Sequence, residues 1–172
     1  MIFSMDNITL IAAIGSNREL GYSNDLIWKI PEDLKFFRDN TLGKYIVMGL
    51  NTFNSLPKLL PNRKHIVLTH RDIELDSSVM IFHSIDELLS FISSIDEEVM
   101  IIGGAMMYSQ MIKYANKMLL TEIDDSSNAD VYFPEFDTDD WDKEIQAKQW
   151  IYKPEVTRHR WEVKQQTLQI IS

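Results

Sequence analysis

The sequence predicts an α/β fold: one domain in which a mostly parallel, twisted sheet of about eight strands is flanked by four helices, with an antiparallel C-terminal hairpin at one sheet edge. Three observations carry this. Short apolar runs rich in β-branched residues recur along the chain, helical segments stand between many of them, and 172 residues at 45% hydrophobic content suit one core rather than two.

The runs fall at residues 8–14, 45–48, 65–69, 79–82, 99–102 and 118–123. They are continuous rather than alternating, as in strands buried on both faces of a parallel sheet. After the first run, residues 15–28 read as a polar loop. Pro31 then opens a helix as a first-turn proline, with Glu32 and Asp33 behind it and Leu34 and Phe37 as its apolar stripe. A second, short helix spans about residues 51–56 and is stopped by Pro57. Ser84 with Glu87 three residues on is a capping box that opens a third, at 85–92. A fourth follows Gly104 through Met107, Met111 and Ile112. Two extended runs, 144–152 and 157–170, flank Lys153-Pro154-Glu155 and read as the hairpin.

Composition excludes several classes. With no Cys, there are no disulfides and no thiolate-ligated metal or iron–sulfur sites, which fits a reducing cytoplasm. The longest apolar run, 99–108, is far short of the ~20 residues of a membrane span. The first residues lack a basic start and carry Asp6, so no secretory signal is expected. The net charge is −9, yet residues 40–71 hold Lys44, Lys58, Arg63, Lys64 and Arg71 and no acid, while ten acids crowd 122–144. The acid-free stretch reads either as chance clustering on a solvated face or as a landing site for an anionic small molecule. General nucleic-acid binding is not expected from so acidic a chain. No His spacing suggests a metal site.

Three constellations could carry chemistry. Asp33 sits in a helix first turn, where an acid ordinarily just complements the helix dipole. Being next to Leu34 and four residues from Phe37, however, it lies near the apolar stripe, where a carboxylate could bind an amidine-like group and handle a proton. Gly103-Gly104, between a strand and a helix, would let backbone amides approach a phosphate, or would simply make a tight turn. Within the acid-free stretch, Gly49, Asn51 and Thr52 repeat the strand-to-helix geometry. Thr69-His70-Arg71 ends a strand as either a phosphate-binding group or an ordinary polar turn, and Arg63 could fork onto a carboxylate.

Taken in order, these pieces resemble the dihydrofolate reductase family over nearly the whole chain. The matching segments are Leu10-Ile11-Ala12-Ala13, Leu20-Gly21, Trp28-Lys29-Ile30-Pro31-Glu32-Asp33-Leu34 with Phe37 and Thr41, Val47-Met48-Gly49 with Thr52, and Leu60-Pro61-Asn62-Arg63. They continue with Ile102-Gly103-Gly104 and Tyr108, Leu120-Thr121-Glu122-Ile123-Asp124, and Asp130 with Phe133-Pro134. The resemblance implies NADPH-dependent reduction of 7,8-dihydrofolate to tetrahydrofolate in support of one-carbon metabolism, by a cytoplasmic monomer that is also a target of antifolate inhibitors.

The resemblance also implies roles. Asp33 would bind the pterin's amino-pyrimidine edge and assist protonation at N5, with Thr121 bonded to both and Trp28 beside them. Ile11, Ala12, Leu34, Phe37, Leu56, Leu60 and Ile102 would enclose the pterin and aminobenzoyl rings, and Arg63 would pair with the glutamate α-carboxylate near Lys58. Ala13, Ile14, Leu20, Gly21 and Asn24 would border the nicotinamide, under a mobile loop at 18–27 that gates product release. Gly49, Asn51, Thr52, Ile102, Gly103, Gly104, Ala105, Met106, Met107 and Tyr108 would hold the diphosphate region, and Leu68, Thr69, His70 and Arg71 the adenosine 2′-phosphate. In this family the Gly103-Gly104 bond is typically cis. Some positions depart from the common pattern: Ile27 stands where Pro is usual, Leu50 and Met106 where Arg occurs, and Ala105 where a third Gly is common, while residues 1–4 form a short extension. The rival readings are a same-fold reductase of a riboflavin-pathway pyrimidine and a non-catalytic nucleotide-binding domain.

Overall fold

The structure, a computed structural model, describes residues 5–23, 25–149 and 156–163. Six parallel strands form the body of the main sheet: β1 (Ile8–Ile14), β4 (Tyr45–Gly49), β5 (Lys64–Leu68), β6 (Met80–Phe82), β7 (Val99–Gly103) and β8 (Lys117–Ile123). The antiparallel pair β10 (Trp141–Gln149) and β11 (Val156–Val163) completes it, giving the order β10-β11-β8-β1-β7-β4-β5-β6. The hairpin strands therefore lie where the sequence places them, at one edge, although β10 begins three residues earlier than expected. The expected turn at Lys153-Pro154-Glu155 and the end of the second run lie outside the described residues.

The continuous apolar runs are explained by burial on both faces. Ile8, Leu10, Val47, Ile66, Ile101 and Leu120 point into one cluster with Leu88, Leu89 and Ile92 of α3 (Ile85–Ser93) and Met107, Tyr108 and Met111 of α4 (Ala105–Met111). Ile11, Ile46, Met48, Val67, Met100 and Leu119 point into the other, against Phe36 and Phe37 of α1 (Pro31–Thr41) and Leu50 and Phe53 of α2 (Leu50–Ser55). The alternation of neighbouring strand residues between the clusters follows from the two-residue strand period.

Two expectations need correction. The segment read as a polar loop contains β2 (Glu19–Tyr22) and β3 (Asp25–Leu26), which join β9 (Val131–Tyr132) in a small antiparallel sheet ordered β3-β2-β9. Strands this short and polar have no apolar period to announce them; β2 is made by pairing with the distant β9, and β3 by folding back onto β2. At α3, Glu87 N–H donates to the Ser84 hydroxyl at 3.1 Å, but the Glu87 carboxylate accepts from His83 N–H instead of returning to Ser84, so the capping box closes one residue early.

Candidate active site

The site begins where the sheet parts. β1 pairs with β7 only as far as Leu10 and Ile101, whereas it stays paired to β8 through Ile14. The chain leaves these two strands in opposite directions, β1 towards α1 and β4, β7 towards α4 and β8. Open α/β sheets hold ligands at such a reversal, outside the carboxyl ends of the strands. Beyond the parting, the Ile11 carbonyl accepts from the buried Tyr108 hydroxyl at 2.7 Å. Burial, and secondarily the Asp33 charge, pushes the Tyr108 phenol well above its ordinary range, which keeps it a donor.

Asp33 and Thr121 meet across this opening. The proline at the first turn of α1 sets the helix start, which brings Asp33 to β8, where the buried Thr121 hydroxyl donates to Asp33 Oδ1 at 2.6 Å. Thr121 is the strand partner of Ala13. Ile11, Phe37, Leu56, Leu60 and Ile102 share one apolar cluster beside the pair. Opposite β4, the register of β7 slips by one residue at Ile102. Leu34 departs from expectation: it is 51% exposed, and α1 buries only Thr41. The helix stripe predicted to pack on the sheet is thus only partly sealed, and Leu34 is left as uncovered apolar surface beside Asp33.

On the nicotinamide side expected from the sequence, Ala12, Ala13 and Leu20 are half-buried, and Ile14 and Gly21 are buried. Trp28 Nε1 donates to Asp125 Oδ2 at 3.1 Å. Its ring lies so close to Gly15 that a Cβ there would stand 2.4 Å from Trp28 Cη2 and 2.6 Å from Glu19 Oε1, which only glycine permits. Glu19, 1% exposed, accepts from Asn17 N–H at 2.7 Å and from Ser127 N–H at 2.9 Å. Burial opposes its charge, but the amides of Ser127, Glu19 itself and Asn17 outweigh that and hold its pKa below the ordinary value, against a smaller opposing effect of Asp125. Ser23 N–H to Asp130 Oδ2 (3.0 Å) and Asp130 N–H to the Gly21 carbonyl (3.1 Å) tie the same two segments again. Asn24 lies outside the described residues.

Next along the edge, α2 and α4 begin side by side, because Met48 and Gly103 are strand partners. Their N-cap residues, Gly49 and Gly104, offer no capping side chain. A Cβ on Gly104 would come to 3.4 Å from the Thr52 hydroxyl, and Gly103 adopts φ +125°, so backbone lines this surface. The Gly103-Gly104 bond is cis. Asn51 and Met106 are exposed, Ala105 half-buried and Met107 buried. Past β5, Leu68 and Thr69 are half-buried and His70 and Arg71 exposed; the Thr69 hydroxyl accepts from Arg71 N–H at 3.2 Å, and His83 Nδ1 bonds the Thr69 carbonyl at 2.8 Å.

Arg63 completes the arrangement. Its buried Nε has no hydrogen-bond partner among the described residues. Burial, with the nearby Arg38 charge second, lowers its pKa. Two neighbouring guanidiniums, one of them with an orphaned nitrogen, suit an external carboxylate. Lys58 is exposed nearby in sequence. Sequence reasoning had passed over Arg38, Glu19, Asp125 and the structural use of His65. Each acquires its place through a contact distant in sequence or through burial, and none carries a local motif. Among the described residues no cluster of His or acids could hold a metal ion, and no helix is long and apolar enough to cross a membrane.

A sheet parted at its reversal point, with a carboxylate and a hydroxyl spanning the mouth and a backbone-lined edge beyond, defines the ligand site of an open α/β protein. A family profile described as dihydrofolate reductase matches residues 7–165. The dihydrofolate reductase of Buchnera aphidicola from Acyrthosiphon pisum is 43% identical over 131 residues, covering 76% of this chain and 80% of that one. That of Bacillus subtilis is 38% identical over 134 residues, covering 78% and 79%. Among solved structures, dihydrofolate reductase from Enterococcus faecalis complexed with NADP(H) and RAB-propyl superposes with a TM-score of 0.83 at 25% identity, over 95% of this chain and 99% of that one. The chain belongs to the dihydrofolate reductase family.

Proposed function

We infer that this protein reduces 7,8-dihydrofolate to 5,6,7,8-tetrahydrofolate with NADPH, and that the cleft between β1, β7 and α1 is where it does so. The observation that carries the reading is the Asp33–Thr121 pair, a carboxylate held at 2.6 Å by a buried hydroxyl beside an apolar cleft. The family membership favours this over a riboflavin-pathway pyrimidine reductase or a non-catalytic binding domain.

NADPH, when bound, supplies the hydride that adds to pterin C6. The residues fit it: uncapped Gly49 and Gly104, the backbone surface at Gly103 and the Thr52 hydroxyl offer donors for its diphosphate, and Thr69, His70 and Arg71 offer polar groups for its 2′-phosphate. Ala13, Leu20 and Gly21 border the nicotinamide end. The chain's own contribution is positioning and proton handling. Asp33 holds the amino-pyrimidine edge and assists delivery of a proton to N5, while Thr121 fixes the carboxylate. Ile11, Phe37, Leu56, Leu60 and Ile102 exclude water from the rings, and Leu34 loses its exposure when they are in place. Arg63 takes the glutamate α-carboxylate. The same cleft is expected to accept antifolate inhibitors.

The test is NADPH oxidation with and without dihydrofolate, with NADH in parallel. Stoichiometric NADPH consumption that depends on dihydrofolate is the expected outcome; oxidation indifferent to dihydrofolate overturns the assignment.

A further inference from the structure

His65 is a buried imidazole, 4% exposed in β5, and the reaction as described makes no use of it. Its Nε2 accepts from Leu60 N–H at 3.0 Å, and the Arg63 backbone lies close enough to act on the ring's charge. An Nε2 that accepts leaves the ring's proton on Nδ1. The imidazole, two residues beyond Arg63 in β5, thus pins the start of the turn 60–63 from inside. That turn is tight: Asn62 is left-handed at φ +61°, and its carbonyl accepts from Gly43 N–H at 2.7 Å.

We propose that His65 is a positioning residue for the substrate's glutamate tail: as a neutral imidazole it clamps the turn from inside and so sets where Leu60 and Arg63 stand. The proposal rests on the reading of Arg63 as the partner of the α-carboxylate. Only a neutral ring can accept from Leu60 N–H. An imidazolium has no acceptor, so it would orphan the Leu60 amide and place a second cation beside Arg63.

The groups acting on His65 favour the neutral form. Burial lowers its pKa most; the Arg63 backbone raises it, the Arg63 charge lowers it, and the Asp76 charge raises it, for a net lowering. The clamp is therefore fully present at neutral pH. It is lost as pH falls through a value below the ordinary imidazole range, so tail recognition should weaken in mildly acidic solution.

The measurement is the ratio of KM for dihydrofolate to KM for dihydropteroate, which has the same rings but no glutamate. Titration of the pterin or of Asp33 affects both substrates and cancels in the ratio. His65→Leu should erase most of the preference for dihydrofolate, as Arg63→Leu does, about tenfold for one misplaced charge-assisted contact. It should leave kcat and KM for NADPH nearly unchanged. His65→Asn, a neutral side chain with an acceptor and a donor, should restore the preference and flatten its decline between neutral pH and the acid range. If His65→Leu keeps the preference while Arg63→Leu loses it, the proposal fails and the tail site stands. If Arg63→Leu also keeps it, the tail site and the proposal fail together. A His65→Leu protein weakened equally toward dihydrofolate, dihydropteroate and NADPH overturns the proposal in favour of a general packing role.

Discussion

The Thr121 hydroxyl donates to Asp33 Oδ1 at 2.6 Å, joining the middle of β8 to the first turn of α1 across the mouth of the cleft. An amide in place of the carboxylate keeps an oxygen for Thr121 to donate to, so the geometry survives while the acid is lost. Asp33→Asn is therefore expected to fold and bind NADPH as the parent does and to lose turnover of dihydrofolate by roughly 10²–10⁴-fold at neutral pH, the usual worth of a positioned acid. Steady-state kinetics with a parallel NADPH titration checks this; near-parental kcat would remove Asp33 from the proton-handling role.

Thr121→Val takes the other half of the pair. Valine nearly matches threonine in shape and is at home in a buried strand, but it cannot donate, so Asp33 loses this hydrogen bond while the strand keeps its place. A hydrogen bond to a charged group is worth about 1.5–3 kcal/mol, which corresponds to roughly 10- to 100-fold in kcat/KM for dihydrofolate. NADPH affinity should not follow, because the backbone edge at Gly49, Thr52, Gly103 and Gly104 does not include this pair. Equal losses for both ligands would mean that β8 itself had shifted.

The body of the sheet was readable from the chain because strands buried on both faces leave continuous apolar runs: the limits of β1 were met in full and those of the other parallel strands to within a residue or so. The helices were readable from Pro31, Ser84, the stop at Pro57 after α2 and the Gly104 that precedes α4. What was not readable is whatever depends on contacts distant in sequence. β2 and β9 are strands only because they pair with each other, and Glu19, exposed by every composition rule, is buried because two loops turn their amides towards it. Leu34 shows the opposite case: its spacing marks it as core, yet it lies beside an open cleft whose ligand would cover it. Asp33 itself was legible as a candidate, but its partner Thr121 could be joined to it only through the family resemblance.

Leu50 shows how structure alters a prediction made from sequence. The resemblance puts an arginine here against the cofactor's phosphates, so Leu50→Arg should tighten NADPH binding by roughly one charge-assisted contact of about 1.5–3 kcal/mol. The side chain, however, packs half-buried in the cluster formed by Phe53, Met48 and their neighbours. An arginine stem can replace only part of that packing, so a cost in thermal stability should accompany the gain in affinity. Calorimetric titration with NADPH and thermal melting of the free protein separate the two. Unchanged affinity would show that the phosphates lie elsewhere.

Glu19 offers a test that needs no ligand. Its carboxylate ties Asn17 to Ser127, beside the Trp28–Asp125 bond, and its pKa is held below the ordinary value. A carboxyl group whose pKa is lower folded than unfolded binds more protons in the unfolded chain. Its stabilisation is therefore fully present above the unfolded value and is lost as pH falls through the folded one. In Glu19→Gln the amide oxygen can still accept from one loop, but the amide NH₂ faces the N–H of the other. That leaves an unmade bond at a buried site, with a cost of about 1–3 kcal/mol. The melting temperatures of parent and variant should thus lie furthest apart at neutral pH and converge as the solution is acidified below the ordinary carboxyl range. The two loops that Glu19 joins should loosen in the same variant, seen as faster hydrogen exchange at Asn17 and Ser127 amides with the β1 and β8 amides unchanged. A gap in melting temperature that stays constant across that pH range would mean that the ionised carboxylate is not what holds the two loops together.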